Sequence, residues 1–273
     1  MIKGAGLGYR REMTQDLACL IDSKVDFFEV APENWMRLGG KYEKQLKTLA
    51  EAKPLSTHGL SLSIGSPDPL DTNFVKELKQ FFLQFNVAHY TEHLSYCSAG
   101  GHMYDLMPIP FTAEAVDYVA NRIRQVQDIL EQQIAIENVS YYLAPGQEMT
   151  EIEFTKAVLE AADCKLLFDV NNVYVNSINH SYDAKEFISA MPSDRILYGH
   201  IAGHYDEADD LKVDTHGADV KDDVWQLLAF AYQIHGVFPT LLERDFNIPC
   251  MNSLLAEVEQ IKLIQASANA GDT

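Results

Sequence analysis

The sequence has few positive charges and few cysteines for its length. Its 273 residues include 21 Lys and Arg against 40 Asp and Glu, a formal net charge of −19. Nucleic acids and anionic membranes are bound through clustered Lys and Arg, so neither is a favourable partner. The cysteines are far apart and form no C-x-x-C pair, which argues against a disulfide framework or a zinc knuckle. We expect small, buried apolar roles for Cys19, Cys97, Cys164 and Cys250.

Long hydrophobic runs are also missing. No apolar run approaches the roughly 18 residues of a membrane span, and the amino terminus, MIKGAGLGYRRE, lacks the apolar region of a signal peptide. We therefore expect a soluble, cytoplasmic protein. The apolar fraction of 47% is sufficient for a full core.

Short apolar or β-branched runs alternate with stretches of helical period. We place strands near residues 4–9, 25–30, 55–60, 87–94, 133–138, 165–170, 195–201 and 238–243. Helices are expected near residues 41–52, 74–85, 113–130, 151–162, 183–190, 219–235 and 251–266. Such alternation is typical of a parallel sheet built from βαβ units. It predicts an α/β fold, a single (β/α)8 TIM barrel over residues 1–273, with residues 267–273 as a disordered tail.

Ionisable side chains fall at the carboxyl ends of consecutive predicted strands. They are His58, His93, Glu137, Asp169, His200 and Glu243, and Asp214 and His216 follow in the loop after the seventh strand. A TIM barrel carries its chemistry at this end, because the loops that follow the strands meet there. In an extended segment, residues two apart point to the same side, so Asp214 and His216 can bind one ion together.

A metal centre explains this set better than separate structural roles do. Any one of these residues alone is more often a hydrogen-bonded core or capping residue. Together they would bury several carboxylates in mutual repulsion, which is costly unless they are protonated or bind metal. Mixed histidine and carboxylate ligands suit iron, zinc or manganese better than magnesium or calcium, and their number indicates roughly two or three ions.

Other polar residues near the strand ends are candidates for supporting roles. Glu29, Glu33 and Asn34 follow the second strand in FFEVAPENW, where they support ligands, contact substrate or cap the loop. His204 lies four residues after His200, and we interpret it as a loop residue. The remaining histidines are expected to be solvated or locally hydrogen-bonded: His89, His102, His180 and His235.

Several long motifs resemble one family, and they span nearly the whole chain. They are GAGLGYR, FFEVAPENWM, LSTHGLSLSIGS, TEHLSY, DLMPIPFT, IENVSYYL, LLFDVNNVYVNSINH, GHIAGH, VDTHG and ERDFNIP. The sequence resembles the UPF0276 proteins, which are grouped with the multinuclear non-heme iron-dependent oxidative enzymes that include the methanobactin biosynthesis oxidase. The resemblance implies a xylose-isomerase-like barrel, a fold that the three-zinc apurinic endonucleases share.

The same resemblance implies three groups of ligands, with Glu137 as a bridge between the first two. The first group is His58, His93 and Glu137, the second and expected catalytic group is Glu137, Asp169, His200 and Glu243, and the third is Asp214 and His216. Asn172 stands where the related nucleases place a third-metal histidine. An amide is a weaker ligand, so the third ion is the least firmly implied. Asn138 and Asn171 are further candidates to support ligands or contact substrate.

The activity implied by the resemblance is an oxidation. It uses a mixed-valent Fe(II)/Fe(III) pair and dioxygen to remove hydrogen from the β-carbon of a cysteine in a ribosomally made precursor peptide. The products are oxazolone and thioamide groups or related heterocycles. A small leader-binding protein is the usual partner, and zinc or manganese are possible substitutes for iron.

Two other classes of function remain open. The first is a multi-zinc hydrolase or phosphodiesterase similar to the apurinic endonucleases, or a sugar isomerase of related design. The acidic charge argues against work on DNA, because Lys and Arg are scattered through the predicted helices. The second is a metal-binding protein without turnover.

Overall fold

The computed structural model describes residues 2–271. The barrel strands are β1 (Ala5–Gly8), β2 (Phe27–Val30), β3 (Leu55–His58), β4 (Tyr90–His93), β7 (Ala135–Glu137), β8 (Lys165–Asp169), β9 (Ile196–Ile201) and β12 (Thr240–Leu242). These eight parallel strands close into a barrel in the spatial order β1-β12-β9-β8-β7-β4-β3-β2. Each lies within a predicted strand range, and the prediction of a TIM barrel is confirmed.

Helices surround the barrel. They are α1 (Leu17–Asp22), α2 (Gly40–Ala52), α3 (Thr72–Phe85), α4 (Ala113–Leu130), α5 (Glu151–Ala162), α6 (Val170–Asn179), α7 (Ala184–Ala190), α8 (Asp222–His235) and α9 (Met251–Gly271). Local sequence explains where several begin. Asp71 caps α3 by accepting hydrogen bonds from Asn73 N and Phe74 N, both at 3.0 Å. Thr150 and Glu153 form a capping box at the start of α5.

Two helices, α1 and α6, were not predicted from the sequence. α6 begins directly after β8, with Asp169 as both the last strand residue and the helix N-cap. The Asp169 carboxylate accepts a hydrogen bond from Asn172 N at 2.6 Å, which stabilises the first turn. The helix is rich in valine and asparagine, which have low helix propensity, so periodicity alone did not reveal it.

Two hairpins on the ligand side of the barrel were also missed. They are β5 (Ser95–Ser98) with β6 (His102–Pro108), and β10 (Tyr205–Ala208) with β11 (Leu211–Val213). The turn Gly100-Gly101 is a recognisable hairpin signal, and Gly100 has φ 65°. β10 is exposed along its length, so it lacks the apolar alternation by which a half-buried strand is recognised.

The carboxyl-terminal segment differs from its prediction. Residues 267–271 were expected in a disordered tail, but α9 continues to Gly271. Gln265 anchors the helix by donating hydrogen bonds to Gly4 O at 3.1 Å and to Phe238 O at 3.2 Å. Ala268 packs against the core one turn later. Residues 272 and 273 of the predicted tail lie outside the described part of the chain.

The cysteines are free, and they divide into two kinds. Cys97 and Cys164 are buried, as expected, whereas Cys19 and Cys250 are exposed, so the prediction of burial is wrong for these two. Cys19 lies in α1 and Cys250 immediately precedes α9, and at both positions a small side chain needs no apolar neighbour. Between residues 2 and 271, no helix combines the length and apolarity that crossing a membrane requires.

Glu151, the first residue of α5, is half-buried and does not belong to the predicted ligand set. It accepts hydrogen bonds from Tyr141 OH and Asn176 Nδ2, both at 3.2 Å. Burial raises its pKa to about 7. The folded protein therefore holds this proton more tightly than the unfolded chain, in which glutamate titrates near roughly 4.3. The resulting contribution to stability is present at low pH and is lost as the pH rises through about 7.

We predict that Glu151→Gln is more stable relative to the natural protein at pH about 8 than at pH about 5, because the amide carries no buried charge. Urea unfolding of both proteins at the two pH values measures this difference. Glu160→Gln, an exposed change in the same helix, is the control. An equal difference in unfolding free energy at both pH values would contradict the prediction.

Candidate metal centre

Six barrel strands bring predicted ligands to one end of the barrel. His58, His93, Glu137 and Asp169 are the last residues of β3, β4, β7 and β8, His200 lies in β9, and Glu243 follows β12. Strand register explains part of this convergence, because His93 pairs with Glu137 and Asp169 pairs with His200 across neighbouring strands. The most exposed of the six side chains, that of His93, is only 14% exposed.

The first group consists of His58, His93 and Glu137. His58 Nε2 lies 3.0 Å from His93 Nε2 and 3.1 Å from Glu137 Oε2, and His93 Nε2 lies 3.3 Å from the same oxygen. Ligand atoms that surround one transition-metal ion at about 2.0–2.2 Å lie roughly 2.9–3.5 Å from one another. The three atoms therefore have the spacing of ligands to one ion.

The second group shares Glu137 with the first. His200 Nδ1 lies 3.7 Å from Glu137 Oε1, 4.0 Å from Asp169 Oδ2 and 3.0 Å from Glu243 Oε2. The two oxygens of Glu137 thus face different groups, which is the geometry of a bridging carboxylate. The distances from His200 Nδ1 to Glu137 and Asp169 exceed those between two ligand atoms of a tetrahedral ion. They resemble the distances between opposite ligand atoms of a five- or six-coordinate ion.

A third group forms around His216. Its Nε2 lies 2.8 Å from Asp214 Oδ1, and its Nδ1 lies 3.4 Å from Glu243 Oε2 and 3.2 Å from Asp245 Oδ2. Asp214 and His216 therefore meet, but the expected reason is wrong. His216 has φ 47°, so the segment turns at this residue and is not extended.

One ring nitrogen of three of these histidines is held by a neighbour. His58 Nδ1 lies 2.7 Å from the Thr91 hydroxyl, and His200 Nε2 lies 3.1 Å from the Glu29 carboxylate. His216 Nδ1 lies 3.2 Å from Asp245 Oδ2 with hydrogen-bond geometry. Metal-binding histidines characteristically donate their second N–H to such an acceptor, which leaves the other nitrogen free for the ion.

Several atoms that face the centre are buried without a hydrogen-bond partner. They are Asp169 Oδ2, Asn172 Oδ1, His200 Nδ1, His216 Nε2 and Glu243 Oε2. Leaving one such atom unsatisfied costs about 1–3 kcal/mol, more for a charged group. Metal ions between these atoms would satisfy them, so the residues present fit a metal centre.

The charges of the centre balance one another through perturbed pKa values. Burial alone lowers the pKa of His58, but the Glu137 carboxylate reverses this and raises it to about 9. Burial and the positive charge of His58 lower the pKa of His93 to about 4. Burial and the charge of Glu137 raise the pKa of Asp169 well above its usual range. Protons thus partly compensate the buried carboxylates, and metal binding would release them.

The three candidate asparagines form hydrogen bonds with the backbone and side chains around the ligands. Asn138 Nδ2 donates to Asp169 O at 2.8 Å, and its Oδ1 accepts from Asp169 N at 3.0 Å. Asn172 donates to Asn138 O at 3.1 Å, and its own Oδ1 has no partner. Asn171 donates to Asp214 Oδ1 at 3.0 Å and contacts His204 Nδ1 at 2.8 Å through its oxygen. His204 lies in a loop, as predicted, but it is buried.

The residues after β2 have separate positions. Glu29 holds His200 and accepts a hydrogen bond from Tyr198 OH. Glu33 accepts hydrogen bonds from Leu60 N at 2.8 Å and Ser61 N at 2.9 Å, so it orders the loop that follows His58. Asn34 is exposed and lines the cleft above the centre, where it can contact a substrate.

A cleft with a volume of about 540 Å³ leads to the centre. His58, His93, Asp214, His216 and Glu243 form part of its floor. Its walls include Tyr9, Trp35, Leu60, Tyr104, Leu106 and Phe246. A ligand entering this cleft would approach the centre from the side of His93 and His216, whose side chains are 14% and 15% exposed.

Two charged residues of the centre, Arg10 and Asp245, were not predicted from the sequence. Arg10 follows β1 in GAGLGYR and contacts both Glu243 and Asp245. Asp245 lies two residues after Glu243 in ERDFNIP. The signal for both was their position just beyond the carboxyl end of a barrel strand, the same criterion that identified the other candidates.

Comparisons with known proteins agree with the sequence motifs. The sequence model of the family described as "RiPP precursor modification enzyme MbnB/TglH/ChrH" matches residues 4–266. A UPF0276 protein of Shewanella loihica is 63% identical over 263 residues, which cover 96% of this chain and 95% of that protein. A UPF0276 protein of Pseudomonas aeruginosa is 51% identical over 264 residues, covering 97% and 93%.

Solved structures share the fold at low identity. An L-ribulose 3-epimerase has a TM-score of 0.66 and 13% identity, over 100% of this chain and 97% of its own. A xylose isomerase domain protein from Alicyclobacillus acidocaldarius has a TM-score of 0.63 and 12% identity, over 97% and 100%. These similarities show a xylose-isomerase-like TIM barrel.

We predict that His200→Ala and Asp169→Ala each lower the metal content by at least one ion per chain, because each removes a ligand from the middle group. Elemental analysis of protein purified without chelator measures the content. His235→Ala is the control, since His235 contacts Ser193 and Ile188 O away from the centre. Unchanged metal content in both site variants would show that the ligand set is wrong.

Proposed function

Because the chain belongs to the family of RiPP precursor modification enzymes MbnB/TglH/ChrH, we propose that it is an iron-dependent oxidase that uses dioxygen to modify cysteines of a ribosomally made precursor peptide. The products would be oxazolone and thioamide groups or a related heterocycle. The observation that carries the proposal is the series of adjacent groups of candidate ligands, the first two of which share Glu137, at the floor of an open cleft.

The composition of the ligand groups supports iron. The middle group contributes three carboxylates and one imidazole, and its spacing fits a coordination number above four. Structural zinc prefers four ligands and commonly uses thiolates, and the cysteine that lines the cleft, Cys97, belongs to none of the candidate groups. Bound iron would supply the one-electron chemistry and the affinity for thiolate and dioxygen that side chains lack.

The protein's own residues would position the reacting groups and limit their contact with water. Glu137, Asp169 and His200 are at most 1% exposed, so they hold the centre rigidly from below. His93 and His216 face the cleft, and a cysteine thiolate would therefore enter from their side. Without bound cations, the carboxylates of the centre would repel a negatively charged thiolate. Binding of the substrate thiolate would therefore require bound metal ions.

The rim of the cleft suits a peptide better than a nucleic acid. Leu60, Tyr104 and Phe246 are exposed at 41%, 102% and 65% and line its walls. Glu12 and Asp105 outnumber Arg11 at the same rim, which makes the rim unfavourable for phosphates. We propose that a small leader-binding protein delivers the peptide to this rim, in the cytoplasm where such peptides are made.

We predict that protein made in iron-rich medium and handled without chelator carries about two or three iron ions per chain, as expected for a multinuclear centre. Elemental analysis and Mössbauer spectroscopy measure the number and oxidation state. Stoichiometric zinc without iron, together with hydrolysis of a phosphodiester or epimerisation of a sugar, would instead support the hydrolase or isomerase alternative.

We also predict an oxygen-dependent change in mass of a substrate peptide. The enzyme would be produced together with a short cysteine-containing peptide encoded beside its gene and with any small neighbouring protein, in air and without air. Mass spectrometry should show a modified cysteine only in air, and Asp169→Ala should abolish it. Metal-loaded enzyme that changes no cysteine peptide would leave a metal-binding protein without turnover as the better description.

A further inference from the structure

Arg10 places a permanent positive charge beside the third ligand group. Its Nε donates to Asp245 Oδ1 at 2.8 Å, its Nη2 contacts the same oxygen, and Nη2 also donates to Glu243 Oε1 at 3.2 Å. The Arg10 side chain is 17% exposed and that of Asp245 is 33% exposed, so these contacts are partly shielded from water. Hydrogen bonds between charged groups in such surroundings are stronger than those at an open surface.

The first strand leaves room for this arrangement. A Cβ atom at Gly8 would lie 3.2 Å from Arg10 Nη1 and 3.4 Å from Cζ. A side chain at this position would therefore be in tight contact with the guanidinium, which would have to shift by a few tenths of an ångström.

Asp245 connects Arg10 to His216. One carboxylate oxygen of Asp245 is occupied by Arg10, and the other, Oδ2, lies 3.2 Å from His216 Nδ1 in hydrogen-bond geometry. His216 Nδ1 is therefore a donor. His216 Nε2 lies 2.8 Å from Asp214 Oδ1 without hydrogen-bond geometry, which is the relation of two ligands to a shared ion.

Arg10 also restricts Glu243. Its contact occupies Glu243 Oε1, while Oε2 faces His200 Nδ1 at 3.0 Å and His216 Nδ1 at 3.4 Å and has no hydrogen-bond partner. A single oxygen is thus left free for metal. A cation on the Nδ1 side of His216 would also be repelled by the Arg10 guanidinium, which already compensates the negative charges of Glu243 and Asp245.

We propose that Arg10 and Asp245 are a positioning pair, which fixes His216 Nε2 and Glu243 Oε2 as metal-binding atoms and confines the third ion to the Asp214 side of His216. This inference rests on the proposed metal centre. It does not depend on the oxidase activity, because metal binding can be measured without turnover.

The experiment measures zinc binding to the full chain by competition with a chromophoric chelator. Arg10→Met and Asp245→Asn should each weaken the last-bound ion by about 10–100-fold, the usual effect of removing a residue that supports a ligand. The ions bound first should keep their affinity. Arg10→Lys, which keeps the charge, should recover part of the loss. Arg11→Met is the matched control, because Arg11 lines the same cleft without contacting a ligand.

Histidine ring spectra of the ¹⁵N-labelled zinc protein give a second readout that a general loss of stability would not produce. His216, assigned from its absence in His216→Ala, should be protonated at Nδ1 and metal-bound at Nε2. Asp245→Asn should remove this preference in protein that remains folded by circular dichroism.

Each contrary result has a distinct meaning. Additional or tighter metal binding in Arg10→Met would show that Arg10 competes with an ion and that Asp245 is itself a ligand, which overturns the proposal. Unchanged affinity and tautomer in both variants would overturn it as well. A natural protein that binds no zinc, cobalt or iron would overturn the metal centre together with the pair, whereas metal binding without peptide oxidation would overturn the oxidase alone.

Discussion

The carboxylate of Glu137 lies between two histidines at the barrel mouth and connects the first two groups of candidate ligands. Its Oε2 lies 3.1 Å from His58 Nε2 and its Oε1 lies 3.7 Å from His200 Nδ1, on opposite sides. Glu137 is 1% exposed, so water compensates almost none of its charge and neighbouring cations must do so. Its place depends on the short strand β7, which pairs with β4 and β8. The compensation of this buried charge therefore depends on the strand pairing that places Glu137 between the histidines.

The second structural dependence runs through α6. Asp169 ends β8 and caps α6, so the placement of a candidate ligand and the start of a helix are one event. Further along the helix, Asn176 accepts a hydrogen bond from Tyr141 N, and Asn179 donates to Lys212 O. These contacts order the segments that follow β7 and β9. The asparagines that weaken helix propensity thus connect the centre to its surrounding loops.

Local patterns predicted the barrel strands and most of the polar residues that converge at their ends, because both depend on short stretches of sequence. Arg10 and Asp245 also follow barrel strands, but their positions in the sequence do not reveal that the two side chains form a pair. They are 235 positions apart and meet only when the first and last barrel strands pair. The left-handed conformation of His216 is likewise fixed by its contacts, since its backbone accepts a hydrogen bond from Asp245 N. Both features depend on contacts between distant parts of the chain, which local periodicity does not reveal.

The acidic composition acquires a more specific meaning from these contacts. Within residues 2–271, Arg10 is the permanent cation in contact with the carboxylates of the centre, through Glu243 and Asp245. Glu137 and Asp169 rely instead on protonated histidines or on their own protons. Metal ions would replace these protons, and a cation that binds only the folded chain stabilises it by mass action. The centre that is proposed to carry out the chemistry would then also contribute to the stability of the barrel that forms it.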